Sequence, residues 1–125
     1  MDQPAKKILI VEDEKPMAKA LVLKLNNSGF EAKAVFNGEE AIDILTKEKF
    51  DLIVLDLIMP KVDGFRVLAK LKEIGSRTPV IVSSNLSQEE DFNRAKKLGA
   101  VDFFVKSDTP INEVVEHIQK VLDKS

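Results

Sequence analysis

The chain has 125 residues, of which 44% are hydrophobic and 32% are charged, and its formal net charge is -2. This length fits one domain with a full hydrophobic core, so we predict a single domain over residues 1–125 without an output domain. The slight negative net charge excludes the overall positive field that would attract a nucleic-acid phosphate backbone. The lack of cysteine excludes disulfides and thiolate metal sites. No apolar stretch reaches membrane-spanning length and no signal peptide is present, so we predict a cytoplasmic protein that binds neither nucleic acid nor membrane.

The spacing of apolar residues predicts the first two pairs of strand and helix. Residues 8–11 form an uninterrupted apolar run, which is typical of a strand covered on both faces. Pro16 suits the first turn of the helix that follows. Residues 30–36 alternate apolar with charged side chains, which predicts a half-exposed strand at a sheet edge. Asn37 and Glu40 have the spacing of a capping box, which favours a second helix over a hairpin.

The middle of the chain repeats this alternation. Residues 52–55 predict a buried third strand, and Asp63-Gly64 is a cap pair that opens the third helix. Residues 80–82 predict a fourth strand, which terminates in Ser83-Ser84. Asp56 directly follows the third strand, so both strands deliver polar side chains to their carboxyl ends.

The last third of the chain predicts one more strand between two helices. Ser87 and Glu90 have the spacing of a capping box for the fourth helix. Residues 101–105 predict a fifth strand with a charge inside it, which suits the other edge of the sheet. Thr109-Pro110 is expected to cap the last helix, whose apolar residues fit a period of about 3.6 positions.

Five strands that alternate with five helices predict an α/β fold with three layers, in which helices cover both faces of a parallel sheet. With the two charged strands at the edges, the strand order is expected to be 2-1-3-4-5. The direction of the chain then switches between strands 1 and 3. Ligands of open α/β sheets bind beyond the carboxyl ends of the strands at such a point.

Charged and hydroxyl side chains follow four of the strands: Glu12 and Asp13, Asp56, Ser83-Ser84, and Lys106. Three carboxylates at one edge would repel one another by about 4 kcal/mol for each pair near 4 Å apart. Cations must therefore compensate the repulsion among the carboxylates. Ligands that are all oxygen select a hard ion such as Mg²⁺, and Lys106 supplies a second positive charge. A carboxylate, a metal ion, an ammonium and a hydroxyl together predict phosphoryl transfer to Asp56.

Over essentially its full length the chain resembles a response-regulator receiver domain of the CheY-like type, whose fold is flavodoxin-like. The matching motifs are Val11-Glu12-Asp13, LDLIMPKVDGF around Asp56, PVIVSS from Pro79, and Gly99-Ala100 seven residues before Lys106. The resemblance implies that Asp56 is the phosphoacceptor. It also implies that Glu12, Asp13, Asp56 and the backbone carbonyl of Ile58 hold Mg²⁺.

The same resemblance assigns the remaining roles. Ser84, which the family spacing selects over Ser83, would bind the phosphoryl group together with Lys106, and Phe103 matches an aromatic residue that switches with that hydroxyl. The implied function is a stand-alone response regulator, and not an enzyme beyond its own phosphorylation and dephosphorylation. A histidine kinase or phosphotransfer protein would donate the phosphoryl group. Phosphorylation would then change which downstream protein target binds the surface of helix 4, strand 5 and helix 5. A monomer or a weak phosphorylation-dependent dimer is expected.

The sequence departs from the family pattern in three ways. Ser107 follows the lysine where a proline is usual, so the cis peptide bond of the family does not follow for this chain, and the geometry of that bond stays open. Asn85 occupies a position usually held by a very small residue and is expected to narrow access to the site. Ile58 and Leu86 are aliphatic at the two positions that, in the family, influence how the hydrolytic water is placed. This leads to the hypothesis of slow self-dephosphorylation.

Three alternative functions compete with this interpretation. A haloacid-dehalogenase-like phosphatase would need a second acid two residues after Asp56, where Ile58 stands. A flavodoxin-like cofactor binder would need glycines and hydroxyls in the first loop, which instead carries acids. A degenerate receiver that acts as an unphosphorylated scaffold remains an alternative. We expect His117 to be solvated and to have no role in phosphotransfer.

Overall fold

The computed structural model describes residues 4–85 and 89–124 of the chain. They include five β-strands: β1 (Lys7–Val11), β2 (Glu31–Val35), β3 (Leu52–Leu55), β4 (Val80–Ser84) and β5 (Asp102–Val105). They also include five α-helices: α1 (Lys15–Asn27), α2 (Gly38–Leu45), α3 (Gly64–Glu73), α4 (Glu89–Lys97) and α5 (Ile111–Asp123). A short 3₁₀ helix, Lys106–Asp108, follows β5 directly and is called the 3₁₀ turn below.

The strands form one parallel sheet in the order β2-β1-β3-β4-β5, which confirms the predicted order. Val11 at the end of β1 is paired with Leu55 at the end of β3. The fourth strand extends further than predicted, because Ser83 and Ser84 pair with residues of β5 and belong to the strand instead of following it.

Helices cover both faces of this sheet because successive side chains of a strand point in opposite directions. In β1, Leu9 and Val11 belong to one hydrophobic cluster that includes residues of α2 and α3, whereas Ile8 and Ile10 belong to a second cluster that includes residues of α1 and α5. Each fully buried aliphatic side chain contributes about 1.5–3 kcal/mol to folding. The apolar residues of α5 all pack in the second of these clusters: Ile111, Val114, Val115, Ile118, Val121 and Leu122. The periodicity predicted for the last helix is therefore confirmed.

Two predicted helix starts are present in the structure. The Asn37 side chain accepts a hydrogen bond of 2.8 Å from the Glu40 N–H, and the Glu40 carboxylate accepts one of 2.8 Å from the Phe36 N–H. The Asp63 side chain accepts a hydrogen bond of 3.0 Å from the Arg66 N–H. Such caps satisfy N–H groups that the first turn of a helix leaves without a partner.

The start of α5 differs from the prediction. Pro110 is the N-cap residue and makes no side-chain cap, while the Thr109 hydroxyl donates a hydrogen bond of 2.8 Å to the Val105 carbonyl. Thr109 therefore ties the 3₁₀ turn to β5 rather than capping the helix. The predicted cap at Ser87 lies outside the described residues. No peptide bond among the described residues is cis, and this includes the bond between Lys106 and Ser107.

The described helices fall short of what a membrane span requires in length and apolar character.

Candidate functional site

The predicted site lies at the carboxyl ends of β1, β3 and β5. Because Val11 is paired with Leu55, the residues that follow them, Glu12 and Asp56, emerge side by side. Both carboxylates are buried, with side chains 3% and 4% exposed. Burial of two like charges this close is costly unless a cation is paired with them.

Lys106 supplies that cation. Its ammonium group lies 2.8 Å from Glu12 Oε1, 3.1 Å from Asp56 Oδ2 and 3.3 Å from Glu14 Oε1, and its side chain is only 5% exposed. A lysine is rarely buried to this extent unless it is paired. The sequence predicted the proximity of Lys106 to Glu12 and Asp56, but it did not predict the contact with Glu14.

The pKa values follow from this arrangement. Burial raises the pKa of Glu12 to about 7, because the hydrogen bond from Lys106 only partly offsets the loss of water. Burial also raises the pKa of Asp56, against the opposing charge of Lys106. For Lys106, burial lowers the pKa, but the hydrogen bond to Glu12 and the charge of Asp56 outweigh it, so the pKa is raised overall. The lysine is therefore charged at every physiological pH.

Three carboxylates at this edge can approach one ion. Glu12, Asp13 and Asp56 each offer an oxygen atom, and these atoms lie within 4.8 Å of one another. The Asp56 carboxylate also accepts a hydrogen bond of 3.2 Å from the Ile58 N–H, which places Ile58 beside it, with 58% of that residue exposed. A donor set of carboxylate oxygens without nitrogen or sulfur fits a hard dication such as Mg²⁺.

The predicted hydroxyl and aromatic residues lie on the two neighbouring strands. Ser83 and Ser84 are both buried in β4, so burial does not separate them. Phe103 is half-buried in β5, and its ring lies edge-on to Phe92 of α4 with 3.8 Å between ring centroids. Both rings line a groove of about 610 Å³ between α4, β5 and α5. Phe103 is thus part of the surface that the sequence predicted to change.

One expectation about this surface is wrong. His117 is half-buried rather than simply solvated, because its Nδ1 lies 2.6 Å from the Asp102 carboxylate and its ring stacks on Phe104 with centroids 5.4 Å apart. Asp102, the charge inside the last strand, is the partner that the helical pattern could not show.

The fold is a parallel α/β sheet whose carboxyl end holds three acids around one lysine. A family model described as the response regulator receiver domain matches residues 8–119. The chain therefore belongs to this family, the receiver domains of two-component response regulators.

Individual relatives agree with this assignment. The chain is 36% identical to the probable transcriptional regulator ycf27 of Porphyra purpurea, over 100% of the chain and 51% of that protein. It is 34% identical to sporulation initiation phosphotransferase F of Bacillus subtilis strain 168, over 93% of both. The receiver domain of the Francisella response regulator 1452 has a TM-score of 0.89 and 28% identity, over 95% of this chain and 98% of that one. The chain spans about half the length of several relatives that are named transcriptional regulators.

Proposed function

We propose that the chain is a phosphoryl-accepting switch, in which Asp56 takes a phosphoryl group from a histidine kinase or phosphotransfer protein. The observation that supports this most directly is the contact of 3.1 Å between the buried Asp56 carboxylate and the Lys106 ammonium group. The ammonium group stands where negative charge would develop as a phosphoryl group reaches the carboxylate. Catalysis of such transfers is mostly positioning and charge stabilisation, which this site supplies.

The transfer exchanges one bond to phosphorus for another. The P–N bond of a phosphohistidine donor breaks, a P–O bond to a carboxylate oxygen of Asp56 forms, and the imidazole leaves with the electron pair. In this proposal the Ser84 hydroxyl and the Lys106 ammonium group bind the transferred phosphoryl oxygens. Hydrolysis, in which water attacks the phosphorus atom and the P–O bond to Asp56 breaks, would release inorganic phosphate and restore the carboxylate.

Magnesium fits the acids at this site. Glu12, Asp13 and Asp56 would hold the ion, with the backbone carbonyl of Ile58 as a further oxygen ligand. When bound, Mg²⁺ supplies positive charge that neutralises phosphoryl oxygens. Lys106 contacts the Glu12 and Asp56 carboxylates in the structure, so a bound ion would share these two partners with the ammonium group.

The surface formed by α4, β5 and α5 is the proposed output of the switch. Phe103 packs on Phe92, and both rings line the groove between α4, β5 and α5. We place Ser84 and Phe103 in the conformational change, and a downstream protein target on that surface. The proposal further takes the chain to act in the cytoplasm, as a monomer or a weak dimer that forms on phosphorylation.

The test is incubation with phosphoramidate and Mg²⁺, followed by intact mass measurement. We expect one phosphoryl adduct in the wild type, no adduct in Asp56→Asn, and an unchanged adduct in the matched control Asp63→Asn, which changes an acid at a helix cap. The adduct should be lost at alkaline pH, as expected of an acyl phosphate. A wild-type protein that forms no adduct would refute the proposal and leave the scaffold interpretation. Turnover of phosphate esters would instead favour a phosphatase.

A further inference from the structure

Two of the positions at which the sequence departs from the family pattern contact each other. The Asn85 side-chain oxygen accepts a hydrogen bond of 2.9 Å from the backbone N–H of Ser107. Asn85 directly follows Ser84, and Ser107 directly follows Lys106. The bond therefore joins the chain neighbours of the two residues proposed to bind the phosphoryl group.

This bond continues the sheet beyond its last pair of residues. The pairing of β4 with β5 ends at Ser84 and Val105. One position further along, the Asn85 side chain takes the place of a backbone acceptor. It also satisfies an N–H of the 3₁₀ turn, whose N-cap residue, Val105, makes no side-chain cap.

The 3₁₀ turn is thus held on two sides. The Thr109 hydroxyl ties it to its own strand through the Val105 carbonyl, at 2.8 Å. Asn85 ties it to the end of the neighbouring strand. A proline at position 107 has no N–H to donate, so an Asn85 acceptor is useful only with a residue such as serine there. The two departures from the family pattern therefore act together, because Ser107 donates the hydrogen bond that Asn85 accepts.

We propose that Asn85 is a positioning residue for phosphoryl transfer, which fixes the backbone of Lys106 relative to Ser84. The inference rests on the proposed function, because it concerns the phosphoryl-binding pair. In the structure Glu12, Glu14 and Asp56 hold the ammonium group directly. When a phosphoryl group and a dication engage the acids, the lysine changes partners, and its backbone anchor then limits where the ammonium group can go.

Variants of Asn85 separate the hydrogen bond from side-chain bulk. Asn85→Ala removes both, whereas Asn85→Leu keeps similar bulk without an acceptor. With phosphoramidate and saturating Mg²⁺, we expect both variants to lower the maximal phosphorylation rate by roughly threefold to tenfold, the range expected for one hydrogen bond, with half-saturation by phosphoramidate unchanged. Asn27→Ala, which removes an exposed amide at the end of α1, is the matched control and should keep the wild-type rate.

Two further measurements test the contact itself. Amide hydrogen exchange of Ser107, followed by NMR, should accelerate in Asn85→Ala and Asn85→Leu but not in Asn27→Ala. In a Ser107→Pro background, which removes the donor, Asn85→Ala should cause no further loss of rate. If Ser107→Pro fails to fold, the exchange and rate measurements on the single variants decide the matter.

The inference is overturned if the wild type forms its adduct and both Asn85 variants keep its rate. It is also overturned if Asn85→Ala accelerates phosphorylation while Asn85→Leu does not, because side-chain bulk at the entrance would then be the cause. A wild type that forms no adduct on Asp56 overturns the proposed function together with this inference. The two failures are therefore distinguishable.

Discussion

Replacing Lys106 by methionine tests the electrostatic account of the site. Methionine keeps the length of the apolar stem but removes the charge that contacts the buried Glu12 and Asp56. Removing one partner of a buried ion pair costs about 3–5 kcal/mol, because the other charge is left without compensation. We expect a loss of this size in the free energy of unfolding near pH 8.5.

The loss should depend on pH, because a carboxylate can escape the penalty by binding a proton. In the wild type the pKa of Glu12 is about 7, so this group is ionised in both the folded and the unfolded protein above neutral pH. In Lys106→Met its folded pKa rises further, and the folded state must then hold a proton that the unfolded state releases. Each pH unit costs about 1.4 kcal/mol, so the loss should grow by about 2 kcal/mol between pH 7 and pH 8.5.

The measurement is urea unfolding of metal-free protein followed by far-UV circular dichroism, since the chain has no Trp or Tyr. Lys70→Met is the matched control, because Lys70 pairs with Glu73 at 3.7 Å on the surface. We expect that control to change stability little at either pH, as is usual for exposed ion pairs. A Lys106→Met loss that is the same near pH 7 and pH 8.5, or that matches the control, would refute the reasoning.

Three further predictions concern the residues around this site. In metal-free wild type, the free energy of unfolding should fall by about 3 kcal/mol as pH rises from near 4.5 to near 7, because folded Glu12 keeps a proton that unfolded Glu12 loses. Urea titrations of Glu12→Gln should show a flatter dependence of this free energy on pH. Gly64→Ala would place a Cβ atom in a steric clash with the Asp56 carbonyl oxygen, so we expect a loss of about 1–3 kcal/mol in the free energy of unfolding in the same assay. No loss would contradict the contact. Polar substitution of both Ile58 and Leu86 should speed decay of the phosphoryl adduct in a mass-spectrometric time course, whereas unchanged or slower decay would defeat the hypothesis of slow self-dephosphorylation.

The parts of the fold that the sequence predicted depend on local patterns. Apolar runs locate the strands, and caps such as Asn37 and Asp63 act over three residues, so both can be recognised in the sequence. The convergence of Glu12, Asp56 and Lys106 was also predictable, because the strands of a parallel sheet all end at the same edge.

The contacts that sequence reasoning missed join distant positions through side-chain orientation. Glu14 contacts Lys106 across 92 positions, although in the sequence it resembles an acid placed at a helix start. His117 reaches Asp102 across 15 positions, and this depends on how α5 faces β5. Apolar periodicity determines which face of an element is buried, but it does not determine which polar side chains meet at the rim of that face.

The charges on β2 have a consequence for how the chain can associate. This strand borders the sheet, and its exposed residues Glu31 and Lys33 flank a backbone edge that another strand could join. Charged residues on a border strand oppose such edge-to-edge addition, the route to fibrils and swapped sheets. Lys33 is also paired with Glu48, with 3.1 Å between the ammonium nitrogen and a carboxylate oxygen. Growth of the sheet from one molecule into the next is therefore disfavoured on this side, so reversible self-association would use helical surfaces instead.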